Sequence, residues 1–556
     1  MEKDESLVSK HQSTLNSDGS TDKHDHENDA SVEDSTRTPV DEEWEYVTGY
    51  KLIVVMGASS MGGFLMLLDT SIVATAIPRI TNEFHSLNDI GWYGTAYQLA
   101  SCALQPLTGK LYNQFNTKYT FMFFMALFEL GSLLCGVAVS SKMLIIGRAV
   151  AGMGGSGMMN GGLMILRACI PNEKGATYLG IMLGICQMGV VIGPMIGGAL
   201  TQYASWRWCF YINLPAGGLV LLVVFFITIP DRRPKSEIKT GASSILRSFD
   251  IPGFAIFAAA AIMFLLALEW GGTTYRWNSA NVLGLFCGSA GALAAFLLWE
   301  YRQGDAAMIP LSVLRQRIVW SSCLTYFFLC SNMMVTGFYM AIYFQAVRGK
   351  SPTMSGVSIL PSILSNMFFA VFSGILVGRW GYYLPWAIAS GAINSIGTGL
   401  LSTLSPTSST VQWIFYQIIT GIGRGCGFQM PLVAVQNHLT PETVSVGVAA
   451  VVFSQGFGPA MFFAFAQTVF SNSLTKQLHT YAPQVNPEII FVAGASGYRD
   501  VVPAADVQGV ILSYSKAIDD VFYLTVGAAA GAFLACWGMG WKSVKKVKGK
   551  VGGLEA

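Results

Sequence analysis

LIVVMGASSMGGFLMLLDTSIVATAI, residues 52–77, is a run of 26 residues broken by a single charge, Asp69. As a helix rising 1.5 Å per residue it would reach about 39 Å, more than the ~30 Å of hydrocarbon in a bilayer. A helix apolar on every face has no side to give to water, so it lies inside protein or in lipid. Further apolar runs follow at 90–109, 119–138, 143–166, 176–200, 208–229, 251–269, 281–299, 320–344, 354–377, 384–404, 411–435, 446–472 and 519–541. Each approaches the roughly 20 residues that a spanning helix needs. The expected fold is an all-α integral membrane protein with 14 transmembrane helices, counted from these runs.

Composition agrees and excludes other classes. The 556 residues are 52% hydrophobic and 12% charged, with a mean hydropathy of +0.48. A soluble domain carries about a quarter charged residues. The ten cysteines form no CxxC pair and the six histidines no HExxH arrangement, so no disulfide framework, metal or other cofactor is expected. There is no GxxxxGK[ST] loop, and ATP is not the expected fuel. No nucleophile, base and metal set converges, so an enzyme is not expected, nor is a nucleic-acid partner.

Residues 1–49 are of different material, with 14 acidic residues against Lys3, Lys10, Lys23 and Arg37. Such a segment cannot bury enough apolar surface to fold and is expected to be a disordered cytoplasmic tail. It has neither the basic start nor the apolar core of a signal peptide, so the first span is expected to direct insertion. With the N-terminus inside, the inner loops and the C-terminal tail hold 18 Lys and Arg against 9 outside. Both termini are therefore expected in the cytoplasm.

Three matches point to an internal repeat. GKLYN (109–113) resembles GILVG (374–378), and Gly193-Pro194 resembles Gly458-Pro459, both at an offset of 265. IIGRAVAGMG (145–154) resembles IFYQIITGIG (414–423) at an offset of 269. The division expected is an N-terminal six-helix half (50–230), a linker with two inserted helices (231–319) and a C-terminal half (320–541). An extracellular loop at 473–518 and a basic cytoplasmic tail at 542–556 complete it. Two related halves around a midplane site is a transporter architecture.

LDTSIVATAIPRI (68–80), RAVAGMGGSG (148–157) and GVVIGPMIGG (189–198) resemble signature segments of the major facilitator superfamily. WRWCFYINLPAGG (206–218), LALEWGG (266–272), WEYRQGDAAMIP (299–310) and YFQAVRGKSPTMSGVSILP (343–361) are similar to its 14-helix drug:proton antiporter branch, and within it to fungal toxin-efflux and multidrug carriers. The likeness covers about residues 45–541. It implies proton-driven exchange, and a proton-coupling role for the arginine of the fourth helix, here Arg148.

The residues support a reading of their own. Asp69 and Arg148 lie about 13 and 9 Å from the outer membrane face at 1.5 Å per residue. Opposite charges at similar depth form either a structural pair or a proton-coupling pair, and intramembrane ionisable groups usually mark a pathway. Glu129 in the third span reads as a helix-bonding group or a proton carrier. Arg424, near mid-membrane, is expected to line the substrate cavity, with backbone carbonyls as its other possible partners. Polar residues amid the Met- and Phe-rich runs (Gln98, Asn332, Tyr339, Gln417 and Gln455) are cavity candidates as well, while most of the Met and Phe face lipid.

Gly180, Gly184, Gly189, Gly193 and Gly197 recur at four- or five-residue steps, a stripe expected to lie on one face and to pack the two halves together. With Gly198, Pro194, Gly458 and Pro459 it reads as a conformational hinge. Gly109 and Lys110, with Gly378 and Arg379 in the second half, are expected to gate the cytoplasmic side. Most superfamily members place an aspartate where this chain has Asn113, which shifts the expected loop charge toward Arg379.

The expectation is a proton-coupled antiporter working as a single chain in the plasma membrane, exporting small hydrophobic or amphipathic compounds. Its partners are that substrate, protons and lipid. Rivals are a carrier for metal chelates, a vacuolar carrier for basic amino acids, and a transporter-like receptor.

Overall fold

A computed structural model of the chain describes residues 47–85, 89–230, 250–272, 275–304 and 307–545. Most of the acidic N-terminal segment, the linker at 231–249 and the basic end from 546 lie outside the described residues. Among those described, the only β pairings are isolated bridges, and each expected span is helical.

The N-terminal helices are α1 (Gly49–Phe84), α2 (Ile90–Gln114), α3 (Thr117–Gly136), α4 (Ser141–Cys169), α5 (Asn172–Tyr203) and α6 (Trp208–Phe226). The inserted pair is α7 (Ile251–Trp270) and α8 (Ala280–Gln303). Then come α9 (Arg317–Val347, its last turn π-helical), α10 (Pro352–Trp380), α11 (Leu384–Leu401), α12 (Thr410–His438), α13 (Val444–Tyr481) and α14 (Val507–Cys536). The helices alternate in direction. The end of the bundle holding Gly49 is called the near end below, and the opposite end the far end.

Eleven helical segments among the described residues are long and apolar enough to cross a membrane. Helices α2, α4 and α11 fall outside that set because they carry polar groups on protein-facing sides, such as Gln105, Arg148, Asn160, Asn394 and Thr398, all buried. The outer surface has the opposite character. Leu219, Leu222, Phe225 and Phe226 of α6, Phe368 of α10, Phe415 of α12 and Leu534 of α14 are more than half exposed. Apolar exposure on that scale is a membrane or partner surface, not a water-facing one.

Glycine sets how closely the helices approach. A Cβ on Gly131 of α3 would lie 2.3 Å from the Ala151 backbone nitrogen of α4, so the two helices touch main chain to main chain. The inserted pair packs through Phe257 and Phe296, centroids 5.2 Å apart, and Ser289 Oγ donates to Ala260 O at 2.9 Å. Helix α7 then covers the seam between α2 and α13, with Phe264 against Phe457 at 5.3 Å and Phe257 against Phe453 at 5.4 Å. At the near end the WEYRQGDAAMIP segment folds back on itself. Glu300 accepts from the backbone N–H groups of Met308 and Ile309, both at 3.1 Å, and Asp250 accepts from Trp299 Nε1 at 2.7 Å.

The stretch 473–518, expected as one loop, is shorter than that. Helix α13 runs on to Tyr481 and α14 begins at Val507, because Leu474, Leu478, Val510, Ile511 and Ile518 on these polar turns are buried together. The connection 482–506 holds a further helix, Pro487–Val501, pinned by Tyr498 OH donating to Ala346 O at 2.7 Å.

Candidate transport site

Each half encloses a polar centre. In the N-terminal half Asp69 and Arg148 are 0% and 1% exposed, and Arg148 Nη1 meets Asp69 Oδ2 at 2.5 Å. Depth alone placed these two at one level, and the structure brings them together. Arg148 Nε also donates to Tyr93 O at 2.8 Å, and its guanidinium lies 4.6 Å from the Tyr97 ring centroid. The second carboxylate oxygen of Asp69 is held from α6: Asn213 Nδ2 donates to Asp69 Oδ1 and to Ser132 Oγ, both at 3.2 Å.

Glu129 stands beside this centre. It is buried, neither carboxyl oxygen has a hydrogen-bond partner, and it packs against Gly217, one turn beyond Asn213 on α6. Sequence reading missed Asn213. Its signal was an amide inside the otherwise apolar run INLPAGG.

In the C-terminal half, Arg424 (4% exposed) donates from Nε to Asn332 Oδ1 at 3.1 Å and from Nη2 to Asn332 O at 3.4 Å. Asn332 is fixed in turn from two further helices. Its Nδ2 donates to Thr398 Oγ1 and Thr525 O at 3.2 and 2.9 Å, and Asn394 Nδ2 donates to its Oδ1 at 3.0 Å. Gln417 is on the same face of α12, seven residues from Arg424. Its Nε2 donates to Ser358 O at 2.9 Å and its Oε1 is buried without a partner. Gln98 faces the α2–α13 seam beside Gly456, and Gln455, on α13, has its Oε1 buried without a partner. Tyr339 is elsewhere, 1% exposed in the far-end apolar cluster with its ring 5.3 Å from Phe470.

The glycine stripe of α5 divides. A Cβ on Gly180 would lie 2.6 Å from the Ala370 carbonyl oxygen of α10, and one on Gly184 3.0 Å from Met367, so these two face the other half. Gly189, Gly193 and Gly197 press on Phe64, Ser71 and Thr75 of α1, within their own half. The single-face expectation is corrected by the five-residue step from 184 to 189, which turns the helix by about 140° at 100° per residue. Gly458 likewise packs on Phe327 and Ser331 of α9 within its half, and Gly198 has open space beside it. Pro194 and Pro459 lie inside α5 and α13.

The halves meet at the near end. A Cβ on Gly109 would lie 2.9 Å from Val446 Cα, and one on Gly374 2.5 Å from Ala176 O. Thr177 Oγ1 donates to Gly374 O at 3.1 Å, and Arg167 Nη2 to Leu439 O at 3.4 Å. Asn113 ties the halves together here without a charge: its Nδ2 donates to Glu442 O and its Oδ1 accepts from Ser445 Oγ, at the start of α13. Lys110 is buried one residue past Gly109 and its charge acts on Glu300. Gly378 is half-buried, and Arg379 is exposed, lending only its carbonyl, which accepts from Lys545 Nζ.

Toward the far end the same faces part. Met195 lies on the face of α5 that carries Gly180 and Gly184, yet is 53% exposed. Gly356, on the face of α10 that carries Gly374, has nothing within 4 Å of its Cβ position. Above the seal each half ties its own loops. Trp206 Nε1 and Arg207 Nη1 donate to Glu83 at 2.6 and 2.8 Å, holding that carboxyl below its usual range.

Paired helical halves, closed at one end and parted at the other around buried charge, agree with the match of residues 59–463 to the Major Facilitator Superfamily. The chain belongs to the major facilitator superfamily. It is a multi-pass membrane transporter, not an enzyme. It is 52% identical to the MFS-type transporter pigP of Monascus ruber, over 92% of this chain and 90% of that one. It is also 52% identical to the efflux pump mlcE of Penicillium citrinum (90% and 92% covered) and 39% identical to the MFS-type efflux pump MFS1 of Trichophyton rubrum (92% and 95%). Among solved superfamily structures, the fold matches the proton:xylose symporter XylE at a TM-score of 0.55 and 13% identity, covering 86% of this chain and 94% of that one. It matches a bacterial homologue of the lysosomal transporter Spinster at 0.53 and 16%, covering 89% and 98%.

Proposed function

We propose that this superfamily member is a proton-coupled antiporter exporting small hydrophobic or amphipathic compounds from the cytoplasm, through 14 membrane-crossing helices with both termini inside. The observation that carries the proposal is the buried Asp69–Arg148 pair, set above a sealed near end and below a parted far end. A carboxylate in that position trades its arginine for a proton as the halves rock. Glu129, buried with no partner for either oxygen, serves as the second proton site. Export as the direction of transport follows the printed names of the relatives, efflux pumps over nearly the whole chain.

With termini inside, the near end is cytoplasmic and the structure is the outward-facing state. In that state Gln98, Gln455, Gln417 and Arg424 border the substrate path, the Gly-Pro pairs of α5 and α13 hinge each half, and Gly109 and Lys110 close the inner gate. The membrane is the plasma membrane, and the transporter works as a single chain.

Accumulation of candidate compounds in cells with and without the protein tests this directly. Expression lowers the intracellular level of at least one amphipathic compound, and a protonophore abolishes the difference. Unchanged accumulation across a chemically broad panel defeats the proposal. Orientation has its own check, because Glu488 is exposed in the loop helix. In a background where the exposed Cys287 is serine, Glu488→Cys reacts with an impermeant maleimide added to intact cells. Labelling only after permeabilisation would reverse the termini.

A further inference from the structure

The two polar centres differ in one respect. Arg148 has a carboxylate, and Arg424 has none among the described residues. Nor can α9 to α12 supply one, for the chain contains no Asp or Glu from Arg317 to Pro441. A buried guanidinium without a counter-charge is costly, and neutral amide oxygens offset only part of that cost. Its fork offers five N–H donors, of which the Asn332 contacts use two.

A second observation lies along the same wall toward the far end. Two turns from Arg424, Gln417 points an unpartnered Oε1 inward and donates from Nε2 to Ser358 O at 2.9 Å. Ser358 Oγ accepts from Lys350 Nζ at 2.7 Å, which sits 4.8 and 4.7 Å from the ring centroids of Phe344 and Trp413. Burial and the neighbouring Arg348 push the Lys350 ammonium below its ordinary value. Arg348 donates only to the carbonyls of Pro406 and Ser408, and Arg499 to that of Ala346. At the far end of this half these three cations take main-chain or hydroxyl oxygens as partners, whereas the carboxylates of α14 pair elsewhere, Asp519 with Lys516 and Asp520 with Ser473.

We propose that the cargo is a small amphipathic acid carried as its anion, with Arg424 as the residue that binds the carboxylate. The inference rests on the export reading and names its substrate class. A carboxylate accepts two parallel N–H bonds from a guanidinium. Asn332, clamped from α11 and α14, holds the fork in place before the ligand arrives. Lys350, further along the acid-free wall of α9 to α12, marks the way out for the anion. The apolar body of the cargo lies against the parted seam.

The test uses the full chain in lipid nanodiscs and dansylated alkanoic acids of graded length, each paired with its methyl ester. The parent protein binds at least one acid about tenfold or more tighter than its ester, the range of a charge-assisted pair. Arg424→Gln abolishes the preference, Arg424→Lys keeps part of it, and Arg276→Ala in the exposed α7–α8 connection keeps all of it. No acid preferred across the panel overturns the inference, and that arm needs no variant to fold. A preference that survives Arg424→Gln overturns it as well. Binding is read without a gradient, so the two readings fail separately. A protein that exports in cells but prefers no acid refutes only the substrate class, while one that prefers acids but changes no accumulation refutes the export reading.

Discussion

Asp69→Asn abolishes uphill export while leaving the bundle assembled. Asparagine keeps one oxygen for Arg148 or Asn213 and nearly the same volume, so the packing of α1 against α4 and α6 survives. What is lost is the group that can take up and release a proton. For exchange of one proton, each pH unit across the membrane is worth about 1.36 kcal/mol, a tenfold concentration ratio, and the variant forfeits all of it. In proteoliposomes with an imposed gradient, the variant equilibrates substrate downhill but does not concentrate it. Gradient-driven accumulation at the parent level would remove Asp69 as the coupling group and leave Glu129 as the candidate. Stability is measured alongside, because removing one partner of a buried pair outright costs about 3–5 kcal/mol. A modest drop in melting temperature is expected here, since the isostere still accepts a hydrogen bond.

Gly180→Leu opens the near end. Its first side-chain atom would lie 2.6 Å from the Ala370 carbonyl oxygen, which is main chain and cannot rotate away. Overpacking of this kind costs about 1–3 kcal/mol, and only the closed arrangement bears it. The closed-to-open ratio then falls roughly five- to 150-fold, and turnover falls with it. A cysteine at Val446, 5% exposed beside Gly109, reports the change. In a background lacking Cys287 it is protected in the parent and reacts with maleimide from the cytoplasmic side in the variant. Continued protection together with normal export would show that the α5–α10 contact is not the gate.

Much of this was legible in the chain because a membrane restricts the choices. Lipid forces helices, apolar run lengths place them, and counting residues inward gives each charge a depth, which suffices to pair Asp69 with Arg148. Azimuth is another matter. The five-residue step in α5 looks like continuity in the sequence but swings the upper glycines from α10 to α1. Tyr339 shares a face with Asn332, yet Phe470 of α13 covers it. Asn213 contacts Asp69 only because α6 folds against α1, and no local pattern announces a neighbour 144 positions away. Asn113 illustrates a further limit. Its type argued against an inner gate carried by charge, whereas an amide closes the same gate by donating to one main-chain carbonyl and accepting from one hydroxyl.

The chain without acidic residues from Arg317 to Pro441 also has an electrical meaning. Across a membrane whose interior is negative, each elementary charge is worth about 2.3 kcal/mol per 100 mV. An anion moving outward and a proton moving inward carry current in the same sense. One exchange cycle therefore gathers about 4.6 kcal/mol per 100 mV, before any difference in pH is added. On this account voltage, more than acidity, drives the pump, and a wall of α9 to α12 that holds Arg424 and no carboxylate is suited to a cargo the resting cell already repels.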